Sequence, residues 1–143
     1  MKALFVDTAG WMACADRGDP AHGPARDARD AALLGGRILV TTDYVVDETL
    51  TLIRMRLGID AAEAWWRQVA GSPRLRWERI DVARADRARE AFFRHRDKEY
   101  SFTDCTSMVV MLELRLKQAL TTDRHFAQMG FQVLPAATGR RAR

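Results

Sequence analysis

Cysteine is scarce in this chain. Only Cys14 and Cys105 occur, far apart and in no CxxC arrangement, and the histidines are limited to His22, His95 and His125. That rules out a zinc-ligand spacing and a disulfide framework. Both thiols are expected to be small core residues in a reducing compartment. No apolar run approaches the ~18–20 residues a membrane span requires. The opening "MKALFVDTAG" turns acidic too soon for a signal peptide, so a cytoplasmic setting is expected. No internal repeat or domain linker is visible. A large excess of one charge sign is lacking too: 23 Lys and Arg against 19 Asp and Glu leave a formal net charge of +4, with a pI near 9.6. Arginine supplies most of the basic side, and its fork suits phosphate. Nucleic acid is therefore admissible as a partner, while a mild basic excess also serves plain solubility.

Hydrophobic residues make up 48% of the 143-residue chain and charged residues 29%. These are the proportions of a folded globule with one sizeable core. The expected organisation is a single domain over residues 1–136 and a basic tail over 137–143. Short stretches at 3–6, 37–42, 118–122 and 131–135 predict strands, the first a plain apolar run, and "LRWERI" (75–80) predicts another by its alternation and β-propensity. Between them, helical patterns cover residues 25–34, 43–57, 82–96, 103–117 and a short piece at 124–129. Asp60 is a candidate cap for a further helix through Trp65 and Trp66. The stretch "GDPAHGP" (18–24) reads as a loop. Strands alternating with helices indicate an α/β fold with a mostly parallel sheet.

Four acids sit at the edges of these elements. Asp7 ends the run "ALFV", and Asp123 follows "QALTT". Ligands of open α/β sheets bind beyond the carboxyl ends of strands, although an Asp before a helix is ordinarily an N-cap. Glu48 shares a helix face with Val45 and Leu52. A buried carboxylate needs a positive partner, here either Arg54 or Arg56, or a metal ion. Asp104 lines up with Met108 and Met111 and lies in a first helical turn, where the macrodipole favours an anion. If these four converge, their mutual repulsion calls for cations. Oxygen ligands without Cys or His select hard ions such as Mg²⁺ or Mn²⁺. The matching chemistry is metal-assisted hydrolysis of a phosphodiester.

Four segments in order, "LFVDTAGWMA", "TTDYVVDETLTLIR", "KEYSFTDCTSMVVM" and "ALTTDRHFAQMGFQVLP", each present one of these acids. With them the chain resembles the PIN-domain ribonucleases, and among these the VapC-like toxins of prokaryotic toxin–antitoxin pairs. The resemblance implies a three-layer α/β/α sandwich with a central parallel sheet. It implies Mg²⁺- or Mn²⁺-dependent cleavage of RNA, a homodimer and a cognate antitoxin protein. It assigns Asp7, Glu48, Asp104 and Asp123 to catalysis and metal binding, with Thr8 and Thr103 supporting the ligands by hydroxyl hydrogen bonds. Ala9 departs from the small hydroxyl residues common at its position. Alternatives within the resemblance are a non-catalytic RNA-binding or regulatory module and a solitary RNA-processing nuclease. A phosphotransfer enzyme using Asp7 as nucleophile would want a second Asp two residues on, where Ala9 stands.

Other residues favour structural readings. Cys105 has acidic and apolar neighbours, which disfavour a thiolate, so it is expected to pack. His125 reads as a helix-surface or capping residue, and Arg124 beside it as the better contact for an RNA backbone. Trp65 and Trp66 read as core or interface. Arg84, Arg87, Arg89, Arg94 and Arg96, interleaved with Asp86, Glu90 and Asp97, read as a solvated, salt-bridged helix.

Overall fold

The computed structural model describes residues 2–136. The basic tail expected at 137–143 lies outside the described residues.

Strand β1 (Ala3–Val6) is buried along its whole length, because its four apolar residues leave no polar face for water. The other strands are β2 (Ile38–Thr42), β3 (Leu75–Glu78), β4 (Gln118–Leu120) and β5 (Gln132–Leu134). They match the expected runs, trimmed by one or two residues at their ends. All pairings are parallel, in the order β3-β2-β1-β4-β5. Parallel neighbours need crossover helices, and the order reverses direction between β1 and β4. Right-handed crossovers on either side of that reversal put helices on both faces. The result is the α/β/α sandwich the resemblance implies.

The helices are α1 (Thr8–Ala15), α2 (His22–Leu34), α3 (Asp43–Leu57), α4 (Ile59–Ala70), α5 (Val82–Arg94), α6 (Phe102–Glu113) and α7 (His125–Gln128). Helix α1 has no counterpart among the expected elements. It buries Thr8, Gly10, Trp11, Met12 and Ala13, so it carries no polar stripe to betray a 3.6-residue period. Helix α2 starts inside the expected 18–24 loop. Pro24 falls in its first turn, where a missing N–H breaks no intrahelical bond. Asp60 does not cap α4: Gly58, with φ 99°, is both the end of α3 and the cap of α4, and Asp60 lies one residue inside. Helix α6 stops at Glu113 rather than 117. Arg115 turns left-handed (φ 57°) and the Leu116 N–H closes back on the Met111 carbonyl at 2.8 Å.

The core is centred on β1. Phe5 stacks on Phe126 with ring centroids 6.4 Å apart, and Trp11 meets Trp65 edge-on at 5.5 Å. Trp65 is thus core, whereas Trp66 is partly exposed beside Trp77. Of the arginines of α5, Arg89 pairs with the interleaved Asp86, whereas Arg84 and Arg87 reach acids on other elements. Arg84 donates to the buried Glu78 at 2.9 Å and to Glu113 at 3.1 Å, tying β3, α5 and α6 together. Burial works against the Glu78 charge, yet the hydrogen bonds from Arg84 and Arg76 hold its pKa below the usual range. Cys105 is buried, and desolvation followed by the Asp104 charge pushes its thiol up to about 11. No helix among the described residues is long and apolar enough to cross a membrane.

Candidate active site

The reversal of strand order opens a crevice between the carboxyl ends of β1 and β4, the place where open α/β sheets bind ligands. Asp7 follows β1 there. It is the N-cap of α1: Oδ1 accepts the Gly10 N–H at 2.8 Å. Its Oδ2 accepts the Thr121 hydroxyl, from the end of β4, at 2.7 Å. The side chain is nonetheless buried, at 4% exposure. Desolvation above all, with a smaller push from the charges of Asp123 and Asp104, raises its pKa to about 7 against the pull of those two donors. Asp104 and Asp123 are thus near enough for their charge to act on Asp7.

Thr121 also orders Asp123, whose backbone N–H donates to the same hydroxyl at 2.9 Å. Asp104 arrives from α6 through a capping box. Its N–H donates to Ser101 Oγ at 2.9 Å, and the Ser101 N–H donates to its Oδ2 at 3.0 Å. The expected helix punctuation is real, and it also fixes the carboxylate at the crevice.

One side chain read as structural from the sequence stands inside this group. His125 Nδ1 lies 2.9 Å from Asp104 Oδ2 and 3.2 Å from Asp123 Oδ1. Ligand atoms of Asp104, Asp123 and His125 all fall within 4.8 Å of one another, close enough to share one cation. The signal available in the sequence was the histidine two residues after Asp123. Thr121, Ser101 and Gly10 were likewise not singled out. Ser101 alone had a readable pattern, a hydroxyl three residues before an acid.

The remaining expected residues are placed as follows. Glu48 is half-buried on α3 and stands outside the three-residue group; no ion pair joins it to Arg54 or Arg56 among the described residues. Thr8 is the first residue of α1. Its hydroxyl is fully buried with no hydrogen-bond partner, as is that of Ser107, one turn along α6 from Asp104. Buried hydroxyls of that kind call for water or an ion. Thr103 is half-buried, and its carbonyl accepts the Thr106 hydroxyl at 2.7 Å. Arg124 is exposed, with only a loose 3.9 Å approach to the exposed Glu99, so its guanidinium is available to a ligand.

A divalent cation fits these residues. Two carboxylates lie close together on either side of the His125 ring, a third carboxylate carries the influence of their charge, and a buried hydroxyl beside it lacks a partner. A larger cavity, of about 900 Å³, opens among α1, α2 and α4. It contains none of the acids, so chemistry rather than size locates the site. A cavity of about 430 Å³ touches one of the acids, Asp123, together with Thr121 and Arg124.

Known proteins resemble this chain over most of its length. A family model described as "PIN domain" matches residues 4–132. The 23S rRNA-specific endonuclease VapC20 of Mycobacterium tuberculosis is 34% identical over 130 residues, 90% of this chain and 95% of that protein. Ribonuclease VapC26 of the same organism is 28% identical over 129 residues, 88% and 91% of the two chains. The crystal structure of VapC20, described as a sarcin–ricin loop cleaving toxin, superposes with a TM-score of 0.79 at 33% identity. It covers 90% of this chain and 95% of its own.

Proposed function

The chain belongs to the PIN-domain family, and from that membership we propose that it is a metal-dependent endoribonuclease, the toxin half of a toxin–antitoxin pair. The carrying observation is the convergence of Asp7, Asp104 and Asp123 on the crevice between β1 and β4. Asp104 and Asp123 would hold the cation, Mg²⁺ or Mn²⁺, with Asp7 and, from α3, Glu48 completing the set directly or through water. The fit of hard oxygen ligands supports those two ions. When bound, the cation polarises a phosphoryl oxygen and lowers the pKa of an attacking water.

The chain's own residues do the rest. Thr121 and the Gly10 N–H orient Asp7 from both sides. The buried Thr8 hydroxyl can donate to a ligand or an ordered water, and Thr103 supports its neighbour Asp104. Arg124, exposed next to Asp123, meets the RNA backbone. The arrangement does not suit covalent phosphotransfer at Asp7, whose carboxylate is buried and committed to two donors. RNA substrate, cytoplasmic setting, homodimer and antitoxin partner belong to the same reading, as does the assignment of residues 1–136 to one nuclease domain. The 23S rRNA named for the relative is the first substrate class to test.

Purified protein with Mn²⁺ and a ribosomal RNA fragment tests this directly. Cleavage that is abolished by chelator and restored by Mn²⁺ is expected. RNA binding without cleavage under any divalent ion would instead mark a non-catalytic binding module.

A further inference from the structure

We infer that His125 is a positioning residue for the carboxylates: its Nδ1–H clamps Asp104 to Asp123 and so selects which of their oxygens face the cation. The inference rests on the metal-site reading above and concerns how the chain sets that site's geometry.

Ionised carboxylates only accept hydrogen bonds. The Nδ1 that lies 2.9 Å from Asp104 Oδ2 and 3.2 Å from Asp123 Oδ1 is therefore the protonated nitrogen, shared between the two. The same residue's backbone N–H donates to Asp123 Oδ1 at 2.9 Å. Asp104 Oδ2 already takes the Ser101 N–H. Each acid thus has one oxygen engaged by donors. Among the described residues nothing donates to the other pair, Asp104 Oδ1 and Asp123 Oδ2. The clamp leaves those two oxygens as the ligands.

His125 is itself held. Its ring meets the Tyr100 ring edge-on at 5.4 Å, and Tyr100 is buried and meets His95 at 5.5 Å. The next residue, Phe126, is fully buried and stacks on Phe5. The four-residue helix α7 is thereby pinned to β1, and the imidazole is fixed from its backbone and from its face. Partners of this kind, which orient metal ligands without binding the metal, typically change affinity by ~10–100-fold when removed.

The test is Mn²⁺ binding to the intact protein, by titration calorimetry, with melting temperature as a folding control. His125→Ala is expected to weaken Mn²⁺ binding ~10–100-fold. His125→Asn keeps a side-chain N–H near the Nδ1 position and is expected to recover most of the loss. Pulsed EPR of the Mn²⁺-loaded wild type should show no directly coordinated nitrogen. Unchanged affinity in His125→Ala, no recovery in a folded His125→Asn, or a coordinated nitrogen would each overturn the clamp. Absence of Mn²⁺ binding in the wild type would overturn the metal site itself, and the clamp with it.

Discussion

Asp7 is buried and accepts two good hydrogen bonds, yet its carboxyl pKa rises from 3.8 to about 7, chiefly through desolvation. The folded protein therefore holds a proton on Asp7 across a range where the unfolded chain has lost it. A raised carboxyl pKa gives stability that is present below about pH 4 and lost as pH rises towards 7. In chelator, urea unfolding should show stability falling by a few kcal/mol between pH 4 and 8 from this group. Asp7→Asn should flatten that slope, since its amide can still accept from Gly10; the same slope in both proteins would contradict the account. At this scale the sequence was informative about acids and poor about their helpers. Asp7, Asp104 and Asp123 end or begin recognisable runs, so their placement was legible. His125 was not, because what brings its ring to Asp104 is the packing of α7 on β1. Glu48 shows the limit of periodicity: helical spacing put it beside an apolar stripe, but the side chain is only half-buried.

At Gly10, helix α1 packs directly against the end of β4. A Cβ on Gly10 would lie 2.1 Å from the backbone oxygen of Leu120, and neither partner is a flexible side chain. Gly10 thus lets α1 approach β4 while its N–H holds Asp7. Gly10→Ala should cost about 1–3 kcal/mol or more from overpacking, seen as a lower melting temperature, and should weaken Mn²⁺ binding in the folded fraction. A variant as stable as wild type would show that α1 is free to shift. The sheet was legible because β1 is an uninterrupted apolar run and β3 alternates, and α3 and α5 because they are amphipathic. Helix α1 was hidden by being apolar nearly all round. The early end of α6 was hidden because a non-glycine residue, Arg115, takes the left-handed turn.

For the whole molecule, the strand order matters most: it sets β1 beside β4, so acids distant in sequence meet at one crevice. A cation that binds only the folded chain stabilises it by mass action, about 2.7 kcal/mol at a hundredfold excess over Kd. Melting temperature should accordingly rise by several degrees in saturating Mn²⁺ and much less in Asp104→Asn. No rise at millimolar Mn²⁺ would argue against a formed site. The central claim is that these carboxylates cleave RNA, and single-turnover cleavage of a ribosomal RNA fragment in Mn²⁺ tests it most directly. Wild type is compared with Asp104→Asn at matched RNA occupancy. The account predicts at least about a 100-fold slower rate for the variant, on the order of the loss when a charge acting at the transition state is removed, with RNA affinity little changed. Equal rates in the two proteins would contradict it.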